Sequence, residues 1–213
     1  LAAVVIAAVV ELVDVGAIVE LYRTVTGPLR EIYGRFARVD FIGAVAALVG
    51  VLLFDTLPGL VIGIAVSMLL LLYRVSRPHV AVLGQTAEGS WVDTTRSPGA
   101  RPVPGVVVLR PESSLIFANA DALRDAVLAA VDSGARGVVL DCETVPSIDV
   151  TAARTIAQLA RDLDDRGVAF ALARDIGQVR DVLTASGTDA PHLHPTVTDA
   201  VTAVSDRSDG PPD

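Results

Sequence analysis

The sequence predicts an α-helical membrane segment followed by an α/β domain whose sheet is mixed. Three observations carry this. Two charge-free apolar stretches, Phe41–Phe54 and Leu57–Tyr73, fall within the first 78 residues. The whole net charge of −8 lies after Pro78, where eleven Arg face nineteen acids; the residues before it carry six of each and are neutral. From Val106 onward, short apolar runs alternate with segments of helical period, the pattern of strands and helices built into layers.

The composition also excludes several classes. An acidic polar half repels phosphates, which argues against a nucleic-acid binder that works by electrostatics. At 52% hydrophobic residues the chain is not a disordered one. One cysteine, Cys142, rules out an internal disulfide framework and a cysteine-only metal cage. The chain opens on Leu1 inside an apolar run, without Met or a basic segment, which reads as a longer protein truncated at its start.

Residues 1–78 are expected to form about three transmembrane helices. A bilayer core needs about 20 apolar residues in a helix, with a lower limit near 17. Phe41–Phe54 and Leu57–Tyr73 approach that length and flank Asp55-Thr56-Leu57-Pro58-Gly59, a turn signal, so they read as a membrane hairpin. Along Leu60–Leu72 apolar residues occupy every side of the helical wheel, leaving no face for water. Gly43, Ala46, Ala47 and Gly50 form a small-residue ridge suited to close helix packing in lipid. Arg23, Arg30, Arg35 and Arg38 precede the hairpin and Arg74 and Arg77 follow it, which puts both ends, and everything after Arg77, in the cytoplasm. Glu11, Asp14 and Glu20 are either intramembrane carboxylates or acids at the membrane surface. Leu21–Arg38 mixes Arg with Tyr22, Tyr33 and Phe36, as an interfacial connector does.

Residues 79–105 read as a junction and surface loop. His79–Gln85 is a candidate strand, and Thr86–Pro104 is rich in Gly, Pro and Ser, with Trp91 as a packing anchor. Residues 106–205 form the core of the polar domain. Strands are expected at Val106–Leu109, Leu115–Phe117, Gly137–Asp141 and Val168–Ala173. Helices are expected at Ala120–Val131 capped by Asn119, at Thr151–Arg166, at Ile176–Ser186 capped by Asp175, and at Thr196–Val204. Residues 206–213 read as a disordered tail.

The best candidate site is the strand–turn–helix segment Asp141-Cys-Glu-Thr-Val-Pro-Ser-Ile-Asp149-Val-Thr151. Ser147 or Asp149 can cap the helix, and its free N–H groups suit an anion or a phosphoryl group. Asp149 and Thr151 are thus candidate regulatory residues, Thr151 standing where a phosphate gains from the helix dipole. The plainer reading makes Asp149 a cap and nothing more. His79, His192 and His194 are the only histidines, and His192-Leu193-His194 reads as an exposed loop pair, not a metal site. With neither a nucleophile elbow nor a phosphate-cradling Gly-rich loop, no catalytic residue, metal or cofactor is expected, and the chain does not read as an enzyme.

Three segments together resemble one family. Leu69–Gly84 resembles the junction between the last membrane helix and the cytoplasmic domain of SulP-family anion transporters. Leu115–Arg124, with Phe117-Ala118-Asn119-Ala120, resembles the strand-to-helix segment of their STAS domain, the sulfate transporter and anti-sigma factor antagonist domain. Asp141–Leu159 resembles the STAS signature. The resemblance implies the last helices of a SulP/UraA-like transporter followed by a STAS domain. It implies sulfate, bicarbonate or a similar anion as substrate, an inner-membrane location, a substrate site in an N-terminal transporter core missing here, and a homodimeric parent. Thr151 matches the serine phosphorylated in anti-sigma antagonists, although Ala152 replaces the usual Gly after it. The other function the resemblance allows is a membrane-tethered signalling module of that antagonist type.

Overall fold

The computed structural model describes residues 16, 19, 23, 30–54, 56–175, 177–186 and 193–209. The chain divides into two compact units, Leu1–Arg74 and Val75–Asp213. Glu11, Asp14, Glu20 and most of Leu21–Pro28 fall outside the described residues.

In the first unit, α1 spans Arg30–Phe54 and α2 spans Thr56–Val75. α1 therefore takes in the second half of the expected connector and runs on without a break through the apolar stretch. The turn signal at 55–59 also needs correction, because Pro58 and Gly59 lie inside α2. Pro58 sits in the first turn, where a helix has no N–H partner to lose. Gly59 is buried, and a Cβ there would run into the backbone of Gly50 and Val51 on α1. Gly43 likewise faces Ser67 Oγ, which a Cβ would meet at 3.0 Å. Glycines on both helices thus let the two backbones approach, the packing expected where lipid offers no hydrophobic drive between helices.

The second unit is a layered α/β structure. Its described elements are β1 (Val80–Gln85), β2 (Trp91–Asp93), β3 (Val106–Pro111), α3 (Ala120–Asp132), β4 (Gly137–Asp141), α4 (Val150–Asp164), β5 (Ala169–Ala173), α5 (Gly177–Ala185), β6 (Leu193–His194) and α6 (Val197–Asp209). The sheet order is β2-β1-β3-β4-β5-β6. β1 is antiparallel to β2 and β3, whereas β3, β4, β5 and β6 are parallel, so the sheet is mixed.

Period-2 alternation distributes the strand side chains between two cores. Val138, Leu140, Phe170 and Leu172 pack with Leu123, Val127, Ile156, Leu159, Leu163, Val179 and Leu183 of α3, α4 and α5. Val139, Ala171 and Ala173 point the other way, onto Val197, Ala200 and Val204 of α6. That second layer is thin. A Cβ on Gly137 would collide with Val204, so only glycine lets α6 lie this close to the sheet.

Several expectations shift. The loop 86–104 contains β2, whose Trp91 packs on the α6 core and donates its Nε1–H to Thr198 Oγ1 at 3.2 Å. Leu115–Phe117 is not a strand: Leu115 makes one bridge to Ile148, and residues 117–119 turn into α3. α6 runs to Asp209, so residues 206–209 are helical where a disordered tail was expected. Its start is a reciprocal cap, with Asp199 N–H donating to Thr196 Oγ1 at 3.1 Å and that hydroxyl donating to Asp199 Oδ2 at 2.7 Å. His194 belongs to strand β6 and is half-buried, not a loop residue; His192 lies outside the described residues.

Candidate functional site

The chain leaves β4 at Asp141 and enters α4 at Val150, and this crossover holds the predicted residues. Asp149 is the N-cap of α4, and its Oδ1 accepts the Ala152 N–H at 2.8 Å. Its Oδ2 accepts the Phe117 N–H at 2.7 Å. Both carboxylate oxygens are therefore committed, one to the helix and one to the loop before α3. The backbone reinforces the join: Leu115 N–H donates to Ser147 O, and Asp149 N–H to Leu115 O, each at 3.0 Å. Ser147 does not cap; its hydroxyl meets Ser114 Oγ at 3.0 Å. Thr151 stands exposed in the first turn of α4. The structure thus brings Asp149 and Thr151 to one helix start, with Asp149 fixed in place and Thr151 open to solvent.

Asn119, expected to cap α3, makes no side-chain cap bond. It is buried and instead ties the preceding loop, with Oδ1 accepting the Ile116 N–H and Nδ2 donating to Ser114 O, both at 2.9 Å. Nδ2 also reaches Val75 O at 3.4 Å, the first residue of this unit. Asp175 likewise turns its carboxylate to Arg180, at 2.9 Å to Nε and Nη2. That bond and charge hold the Arg180 guanidinium above its ordinary pKa. Phe117 (65% exposed) and Val150 are large apolar side chains left in water beside Asp149.

At the end of β4 a second constellation was invisible in the sequence. Asp141 is fully buried, and two arginines from the neighbouring strands converge on it. Arg110 Nε lies 2.7 Å from Oδ2; Arg174 places Nη2 at 2.6 Å from Oδ2 and Nε at 3.0 Å from Oδ1. Half-exposed Glu143 pairs with both, its Oε2 lying 3.3 Å from Arg110 Nη2 and 2.9 Å from Arg174 Nη2, the nitrogen that also holds Asp141. Arg174 has φ +55°, a left-handed conformation rare for non-glycine residues, and its place at the strand end aims the guanidinium back at Asp141. Burial disfavours the charged Arg174, but the hydrogen bond and charge of Asp141 outweigh it and raise its pKa. The only local hint was an acid ending an otherwise apolar strand.

Next to this cluster, burial pushes the Cys142 thiol far above its ordinary pKa, with the charges of Asp141 and Asp175 adding to the effect, so the sulfur is a protonated, inert core atom. Among the described residues no group of His, Cys, Asp and Glu is arranged to hold a metal ion. Thr151 opens instead onto a cleft of about 450 Å³ between α3 and α4.

Residues 97–200 match the STAS domain family. The chain is 29% identical over 205 residues to sulfate transporter 3.1 of Arabidopsis thaliana, covering 91% of this chain and 29% of that protein. It is 36% identical over 156 residues to a probable sulfate transporter of Mycobacterium tuberculosis, covering 71% of this chain and 28% of the relative. The chain thus spans less than a third of the length of these relatives. Among solved structures it superposes on SLC26A9 with a TM-score of 0.69 at 20% identity, over 83% of this chain and 32% of the other. The murine Slc26a9 anion transporter in its inward-facing state gives 0.67 at 23% identity, over 79% and 29%. At such identities these structures establish the fold.

Proposed function

Residues 97–200 belong to the STAS family and most of the chain is homologous to SulP-type sulfate transporters; from that premise we propose that the chain is the C-terminal part of a secondary-active inorganic anion transporter. Its substrate is sulfate, bicarbonate or a similar anion. α1 and α2 cross the inner membrane as a hairpin, and residues after Arg77 form a cytoplasmic STAS domain with a regulatory or assembly role. The anion site belongs to the transporter core that precedes these helices, and the assembled protein is a homodimer.

One observation carries this reading. α2 has 20 residues with a mean hydropathy of 2.1, only 11% of its apolar window is buried, and four residues separate it from β1 of the α/β unit. A soluble protein does not leave such a surface in water, whereas a bilayer solvates it. The relatives named above are described as sulfate transporters, which supports a transport role over an enzymatic one.

The test is uptake of labelled sulfate by proteoliposomes holding the product of the complete reading frame, with bicarbonate as competitor. Saturable uptake is expected. An in-frame start directly before the Leu1 codon, with no membrane-coding sequence upstream, would overturn the reading.

Asp149 and Thr151 are regulatory in this account, Thr151 as a phosphate acceptor and Asp149 as the group that fixes the helix start presenting it. Exposure of the Thr151 side chain supports this. Incubation with candidate kinases is expected to place phosphate on Thr151; complete absence of phosphate there counts against it.

A further inference from the structure

We propose that the cleft between α3 and α4 binds a tetrahedral oxyanion of the sulfate or phosphate class, held by Arg124, Arg154 and Arg161. The α/β half carries the entire net charge of −8, yet three guanidiniums line this cleft against one carboxylate, Asp121. Helical spacing explains the concentration: Thr151, Arg154, Gln158 and Arg161 recur every three or four residues and share one face of α4.

These cations are poorly neutralised. Arg154 makes no hydrogen bond or ion pair among the described residues. Arg124 reaches Asp162 Oδ2 only at 3.4 Å, and Arg161 donates Nη2 to the neutral Gln158 Oε1 at 2.8 Å. A dianion between them satisfies donors that now face water, and the guanidinium fork fits paired oxyanion oxygens better than a spherical halide. The cleft runs along most of α4, from Thr151 in its first turn to Arg161 in its last, so only its Thr151 end gains from the positive end of the helix dipole.

The same chemistry has two sources, a free ion or a phosphoryl group carried on Thr151, which lines the cleft with its hydroxyl unpartnered among the described residues. Arg154, one turn further along α4, is the cation nearest in sequence to Thr151. The inference does not depend on the transport reading, because binding is read without uptake.

The test is titration of the chain in lipid nanodiscs with sodium sulfate and phosphate at constant ionic strength, chloride as the reference, followed by arginine Nε resonances. Saturable, sulfate-dependent shifts at Arg154 are expected. Arg154→Gln is expected to weaken binding about tenfold, the worth of one charge-assisted hydrogen-bond pair. Arg166→Gln, beyond the end of α4 and outside the cleft, is expected to leave it unchanged. In chain phosphorylated on Thr151, a moved Arg154 resonance with sulfate binding lost assigns both sources to one site. Arg154 responding to the free ion alone, or to phosphothreonine alone, assigns the site to that source. Shifts identical for sulfate and chloride, with no Arg154 response to phosphothreonine, overturn the proposal, as does Arg154→Gln chain that binds like the parent.

Discussion

α2 and β4 are both built from aliphatic residues, but they dispose of them oppositely. Leu57, Met68 and Leu69 on α2 are each more than 60% exposed, whereas Val138, Val139 and Leu140 on β4 are fully buried. Polar chemistry divides the same way. α1 and α2 meet through Gly43, Gly50 and Gly59, while β4 ends in a buried carboxylate clasped by two guanidiniums. The same residue types therefore stabilise one unit by what surrounds it and the other by what it encloses. Substitutions should separate the two.

The sharpest break is expected at Asp141. Asp141→Ala removes the buried carboxylate that Arg110 and Arg174 share and leaves them only half-exposed Glu143, a loss of about 3–5 kcal/mol, read by denaturant unfolding of the α/β unit. Insertion of α1 and α2 should not change.

The next contrast pairs two leucines. Leu163→Ala opens a cavity in the fully buried core and should cost about 2–5 kcal/mol in the same assay. Leu69→Ala, on the exposed face of α2, should leave that transition within about 0.5 kcal/mol, as surface changes do.

A smaller effect is expected at Asp149. Asp149→Ala removes the cap of α4 and frees the Phe117 N–H, at a cost of about 1–2 kcal/mol, with local hydrogen exchange rising at Phe117 and Ala152. Thr151→Ala, two residues on, should be neutral to within about 0.5 kcal/mol. Equal losses at the two positions would make Thr151 a structural residue and deprive it of a regulatory reading.

How much of this was legible follows from where each signal lies. Val138-Val139-Leu140 shows itself as an unbroken apolar run and the Ile156–Leu163 face of α4 by its helical period, and both elements fall within a residue or two of expectation. β2 and β6 escape notice because two- and three-residue strands have too few positions to show alternation; β2 is held by the adjacent β1, and β6 by β5 across the intervening α5. Pro58 and Gly59 mislead because a turn signal and a first helical turn use the same residues. The Asp141–Arg110–Arg174 cluster joins residues 31 and 33 positions apart, and no period marks such a contact. Asp149 was legible as a cap, but its second oxygen, bound to Phe117 N–H, depends on where the loop before α3 comes to rest.

On the function proposed above, α2 lies in lipid and the α/β unit in water. Nitroxide scanning tests it most directly: single cysteines at Leu57 to Tyr73 and at Phe117, in chain whose lone Cys142 is replaced by alanine, reconstituted in nanodiscs. Oxygen accessibility is expected to exceed that of a water-soluble nickel chelate along α2, most of all around Ile64–Met68, with the order reversed at Phe117. Chelate access at Met68 equal to that at Phe117 would contradict it.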